Sequence, residues 1–225
     1  MSKLISSEFT IEKCRSLQNY YQKYLKEINI NQKSVTLDVG CGFGFLSPSF
    51  DVYIGTDIDA HKINFAQKMY GDKGFNEDDI TIANSNFLNK FDLIICFTVF
   101  DEISIDLKKE CLINMGSYLD DNGRILFEVR NKSFIIRSLI KFLGLSFIHK
   151  NKLKEKGLED MDMSLNDYTN LFEKNGFTVK KIYKAKRSLH SSNTTEFLKK
   201  VIYRCLDTIV PLKYCFMIGF DLERN

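Results

Sequence analysis

The sequence predicts an α/β fold: a doubly wound, mostly parallel seven-stranded sheet with helices on both faces. Three observations predict it. Short β-rich runs alternate with segments of helical period, the pattern of βαβ units. A glycine-rich turn, Gly40-Cys41-Gly42-Phe43-Gly44, follows the first of those runs. An acid, Asp57, closes the second run, 19 residues after Asp38. With 225 residues, the chain suits one domain with a sizeable insertion, at roughly 150 residues per domain.

Ser7–Ile28 is helical by period: Phe9, Ile11, Leu17, Tyr20, Tyr21, Tyr24, Leu25 and Ile28 recur at three and four, so residues 1–30 read as an N-terminal helical cap. Val35–Val39 and Val52–Thr56 are the first two strands, and Ile58–Tyr70 is a helix. Ile80–Ala83 reads as the third strand. Phe91–Thr98, continuously apolar, reads as a fourth strand buried on both faces. Leu107–Leu119 is a helix stopped by the turn Asp120-Asp121-Asn122-Gly123, and Arg124–Val129 is the fifth strand. Leu165–Asn175 is a helix closed by Gly176, and Phe177–Tyr183 and Lys213–Leu222 are the last strands. Two segments break the alternation. Residues 131–162 are an insertion after the fifth strand, expected over the carboxyl edge where open α/β sheets bind ligands. Residues 194–212 are an extra apolar helix before the last strand.

Composition excludes several classes. Hydrophobic residues at 44%, charged residues at 27% and only 2 prolines rule out a disordered or collagen-like chain. Six cysteines form no CxxC pair, and with 3 histidines they show no zinc-ligand spacing, so no metal is expected. Thiols scattered through apolar runs and an N-terminus without a signal-peptide core point to the cytoplasm. No stretch nears ~18 uninterrupted apolar residues, so no span is expected. The net charge of +3 is uneven: residues 1–129 sum to −6, whereas residues 130–156 carry 8 Lys/Arg against Glu155 alone, a net +7.

The residues with chemistry begin at Leu37-Asp38-Val39-Gly40-Cys41-Gly42-Phe43-Gly44. Glycines after a strand let a ligand approach the backbone. A dinucleotide fingerprint spaces them GxGxxG; here the spacing is GxGxG, with an acid two residues before the first. A carboxylate sits badly beside a pyrophosphate and well beside an ammonium. That favours S-adenosylmethionine (SAM), which carries an ammonium and no phosphate. Asp57, an acceptor-only group at a strand end, can take both hydroxyl protons of a ribose. Asp59 can cap the following helix in its place.

These motifs resemble those of the class I SAM-dependent methyltransferases, a family with a Rossmann-like fold. LDVGCGFG resembles the family's motif I, GTDID its post-I motif, and FDLIICFTVFDEI its motif IV. LDDNGRILFEV and LFEKNGF resemble the later turn–strand and helix–strand steps, so the resemblance covers roughly residues 30–185. It implies SAM as cofactor and S-adenosylhomocysteine (SAH) as product. It implies that Asp38 faces the methionine amino group, that Gly40, Gly42 and Gly44 admit the methionine tail, and that Asp57 holds the ribose. Asn86 stands where an Asp often receives the adenine amine, with Phe87 beside the ring. Cys96 and Phe97 offer backbone to the methionine end. Tyr20, Tyr21 and Tyr24 are placed to cap the cofactor or to pack the helix.

The acceptor is read from departures. No Asn-Pro-Pro-Tyr or Asp-Pro-Pro-Tyr follows the fourth strand, which disfavours flipped-base methylation of DNA or RNA. A hydroxyl acceptor needs a base. Asp101 and Glu102 follow the fourth strand and are the candidate catalytic pair; they equally suit a helix start. His149 and His190 are alternatives by residue type. In the insertion, Phe134–Ile148 is densely apolar and basic residues flank it, which suits a lid or an anionic membrane interface through residues 131–156. The reading is a SAM-dependent methyltransferase, cytoplasmic or peripheral at a membrane. Its expected acceptor is a hydroxyl on a small molecule, a glycan or a lipid-linked intermediate. An RNA methyltransferase and a catalytically inactive SAM-binding partner are the alternatives.

Overall fold

Local sequence sets where each element starts and stops. Helix α1 (Ile11–Glu27) ends at Asn29, whose φ of 61° is left-handed, while the Ile30 N–H closes onto the Leu25 carbonyl. Helix α2 (Ala60–Met69) is capped by Asp59, whose carboxylate accepts from the N–H groups of His61 and Lys62. Helix α3 spans Ile105–Tyr118. Helix α4 (Leu165–Lys174) opens on a reciprocal capping box between Ser164 and Asp167, and Gly176 beyond it takes a φ of 84°. The computed structural model describes residues 11–131, 163–185, 211–215 and 217–225. The expected insertion at 131–162 and the expected helix at 194–212 lie outside the described residues, apart from their ends.

The strands are β1 (Val35–Val39), β2 (Val52–Asp57), β3 (Gly74–Glu77), β4 (Phe91–Phe97), β5 (Leu119–Arg130), β6 (Phe177–Lys184) and β7 (Met217–Arg224). They form one sheet in the order β3-β2-β1-β4-β5-β7-β6. All neighbours are parallel except at β7, which is antiparallel to β5 and β6. One face packs Leu37, Ile94 and Phe127 against Leu112 and Met115 of α3 and Phe172 of α4. The other packs Leu93, Ile95 and Leu126 against Leu25 of α1 and Ile63 and Ala66 of α2. The chain leaves β1 toward β2 on one side and reaches β4 on the other. The loops after β1 and β4 therefore diverge, opening a crevice at the carboxyl edge.

Three sequence expectations are corrected here. Ile80–Ala83 is not a strand; Gly74–Glu77 takes that place at the sheet edge. The Asp79 carboxylate folds 80–83 into a turn by accepting from the Thr81 N–H and hydroxyl, and Asn114 holds the Ile80 carbonyl. Asp120–Gly123 does not separate helix from strand. It lies within β5 as an irregularity, with the Asn122 N–H on the Asp120 side chain, between the pairs Phe91↔Leu119 and Leu93↔Arg124. The last strand begins at Met217 rather than Lys213, because Leu212–Tyr214 forms a 3₁₀ turn. Buried Asn131 donates to the carbonyls of Lys213 and Cys215, tying the end of β5 to the approach to β7.

Candidate active site

The crevice is floored by Asp38 near the end of β1. Its carboxyl is buried and accepts a 2.5 Å hydrogen bond from the Tyr53 hydroxyl. Burial raises its pKa to about 7 against the lowering effect of that bond, and the Asp57 charge adds to the rise. The turn that follows places Gly40, Gly42 and Gly44 at φ of 70°, 56° and 74°. The three glycines differ in what a side chain would meet. A Cβ on Gly40 would lie 2.1 Å from Val99 Cγ2, and one on Gly44 would lie 2.7 Å from the Phe75 ring. Among the described residues, a Cβ on Gly42 would meet nothing within 4 Å beyond its chain neighbours. Gly40 and Gly44 thus serve the chain's own packing, whereas Gly42 faces open space.

Asp57 ends β2 beside this turn. One carboxylate oxygen accepts from the Gly42 N–H and the other from the Asp59 N–H, both at 2.9 Å, and Lys62 Nζ lies 3.7 Å away. Asp59 is the helix cap, as the sequence allowed. Next to Asp57, Ile58 is 73% exposed, an apolar side chain held in solvent at the crevice edge. The sequence reading missed it; its signal is an apolar residue between two acids. Because β3 ends at Glu77, the residue directly after the third strand is Asp78, not Asn86. Asp78 accepts from Asn84 Nδ2 at 3.2 Å. Asn86 is exposed in the short 3₁₀ helix that Asn84 caps. Phe87 does not face the crevice: its ring is buried edge-on against Phe91 and Tyr118. It supports the loop from within.

The loop after β4 forms the far wall. Cys96 is wholly buried in the strand, and burial pushes its thiol up. Thr98 takes a φ of 61°, rare for a β-branched residue, and its N–H bonds the Glu128 carbonyl at 2.7 Å. Asp101 is 1% exposed and pairs with Arg130 Nε, while Glu102 lies outside, 3.7 Å from the same guanidinium. The pair therefore links this loop to the end of β5. Lys108, on α3, buries its amine beneath the loop and donates to the carbonyls of Phe100 and Ile103. From α1, Tyr24 stacks on Tyr20, lies 6.4 Å from the Phe97 ring and donates to the Glu128 carboxyl.

Residues 12–182 match the model of a methyltransferase domain family. The chain belongs to that family. Its solved neighbours share the fold at low identity. A TehB-like SAM-dependent methyltransferase from Corynebacterium glutamicum is 15% identical with a TM-score of 0.62, over 95% of each chain. The magnesium protoporphyrin IX methyltransferase of Synechocystis with bound SAH is 16% identical with a TM-score of 0.60, over 98% of this chain and 90% of that one. A SAM-dependent methyltransferase from Mesorhizobium loti is 12% identical with a TM-score of 0.65, over 92% of this chain and all of that one. A search of curated protein sequences finds no match. The protein is a class I SAM-dependent methyltransferase, and SAM is its methyl donor.

The crevice of the methyltransferase fits that donor. A buried carboxyl, Asp38, with no cation bonded to it among the described residues, precedes a turn in which Gly42 leaves open space. An anionic tail, such as a pyrophosphate, would meet Asp38 and Asp57 unfavourably. Among the described residues no group of three or more His, Cys, Asp or Glu is arranged to hold a metal ion.

Proposed function

We propose that this methyltransferase methylates a hydroxyl on a small, non-nucleic-acid acceptor, a class that includes glycans and lipid-linked intermediates. The observation that carries the reading is the cover over β4 and β5. Tyr24 is buried, bonded to Glu128 of β5 and set against Phe97 of β4, so α1 lies over the ends of these strands, which supports a small acceptor over a duplex or a splayed base. The Thr98-Val99-Phe100-Asp101 loop supplies no base-clamping motif, and Asp101 is engaged by Arg130.

Bound SAM supplies an electrophilic methyl group on a sulfonium. The chain's own residues do the rest. Asp38, once ionised, receives the ammonium. Asp57 has lone pairs left after its two backbone bonds and takes ribose hydroxyls. Ile58 covers the adenine face, and Asp78 or Asn86 receives its amine. The α1 tyrosines and Phe97 exclude water from the reacting end.

Methyl-labelled SAM incubated with the protein and a cell extract tests the reading. Label should enter the organic or small-molecule fraction in a nuclease-resistant, base-stable form, as a methyl ether would be. Label in nuclease-sensitive RNA would overturn it. SAM binding with no labelled product in any fraction would instead indicate an inactive SAM-binding protein.

A further inference from the structure

Glu128 is a carboxyl group that the cofactor reading leaves unused. Its register sets it beside Phe97 on β4 and beside Gly219 on β7. Asp38 lies opposite Ile95, two residues before Phe97. Strand alternation therefore puts Asp38, Phe97 and Glu128 on one face of the sheet at its carboxyl edge. Glu128 is buried, and the Tyr24 hydroxyl donates to its Oε1. Tyr21 lies within the field of both carboxyls, and burial foremost, then their charges, raise its pKa to about 12. Tyr183 of β6, whose ring lies across Gly219, faces Glu128 from the other side. Arg130, two residues along β5, pairs with Asp101 and Glu102.

Among the described residues, the groups around Glu128 are thus three tyrosines and a second carboxyl. None of these supplies positive charge. Burial raises the Glu128 pKa to about 8, against the lowering effect of the Tyr24 bond. Such a group keeps its proton at neutral pH until a cation comes beside it.

We propose that Glu128 is the proton-accepting residue of the methyl-transfer site: it faces the sulfonium end of bound SAM as a carboxylate and takes the proton the acceptor loses. The inference rests on the reading of Asp38 and the Gly40–Gly44 turn as the SAM site. In the step, a bond forms between the acceptor oxygen and the methyl carbon. The sulfur–methyl bond breaks with its electron pair passing to sulfur, and the hydroxyl proton passes to Glu128. The sulfonium charge disappears in the same step, so Glu128 becomes a stronger proton acceptor as transfer proceeds.

Calorimetry at pH 7 in buffers of different ionisation enthalpy counts the protons released when SAM or SAH binds. Both ligands carry the ammonium, so the Asp38 contribution cancels in their difference. SAM should release about one more proton per site than SAH, because only SAM brings a sulfonium to Glu128. Glu128→Gln should bind both ligands and lose the difference. Tyr24→Phe removes a hydrogen bond that favours the carboxylate, so the pH above which the difference fades should move upward. This second variant keeps the test open if Glu128→Gln does not fold. Equal proton release by the two ligands in the wild type, or a difference that survives in Glu128→Gln, overturns the proposal. Failure of both ligands to bind the wild type overturns the SAM site itself, and the proposal with it.

Discussion

With Asp38 read as the partner of the cofactor's ammonium, cofactor binding should depend on pH, and the sign follows from its burial. Its pKa is raised to about 7, so the free protein holds a proton there that the unfolded chain has already lost. Between about pH 4 and 7 the native state therefore binds more protons, and stability falls as pH rises through that window. The ammonium of SAH, which brings no sulfonium to Glu128, would pair with the ionised form of Asp38, so SAH affinity should rise toward pH 7 and then level. Titration calorimetry across that range checks this, and Asp38→Asn should flatten the profile. Asp57→Ala should weaken SAM binding by about 1.5–3 kcal/mol, the range for hydrogen bonds to a charged group. It should also loosen the turn, because Asp57 holds the Gly42 and Asp59 N–H groups. Gly40→Ala should lower the melting temperature, since its Cβ would overlap Val99. Asp38, the glycines and Asp57 were legible in the sequence because strand ends and φ-permissive turns leave fixed spacings. The unequal roles of the glycines were not, because Val99 and Phe75 reach them from distant segments.

At the scale of elements, α3 braces the loop that follows β4. Lys108 is buried, and burial lowers its pKa to about 8 even though the Asp101 charge pulls the other way. Lys108→Met would leave the Phe100 and Ile103 carbonyls without this donor, at about 1–3 kcal/mol for each group left buried and unsatisfied. Chemical denaturation should show that loss, and methyl transfer should fall further than SAM affinity, since the glycine turn is untouched. Strongly periodic or continuously apolar elements, such as α1 and β4, were readable to within a few residues. β3 was not: as an edge strand it buries only Phe75, so Gly74–Glu77 lacks an apolar pattern while Ile80-Thr81-Ile82 displays one. For the same reason the sequence placed Asn86, rather than Asp78, after the third strand. Glu128 was hidden inside an otherwise apolar run, and its meaning depends on Tyr24, which arrives from the other end of the chain.

For the whole molecule, the charge distribution and the site lie in different parts of the sequence. Every residue assigned to SAM precedes Asn131, while residues 130–156 carry the net +7. Deleting residues 132–156 should therefore leave SAM affinity largely intact and reduce methyl transfer. Changing Lys150, Lys152, Lys154 and Lys156 to Gln should weaken adsorption to phosphatidylserine vesicles, by at most about 1 kcal/mol per lysine, and added salt should imitate the loss. No helix among the described residues is long and apolar enough to cross a membrane. Vesicle co-sedimentation at low salt decides it: a wild type that stays in solution contradicts the membrane role.

The central claim is that SAM occupies the space above Gly42, and calorimetry of SAM with the wild type and with Gly42→Val tests it most directly. Among the described residues no atom beyond its chain neighbours lies within 4 Å of a Cβ at that position, so apart from the backbone strain that a side chain brings at a φ of 56°, the added group would meet the ligand rather than the protein. The expected result is tight SAM binding by the wild type and none by a Gly42→Val variant whose circular dichroism shows a folded chain. Unchanged affinity in that folded variant would contradict the account.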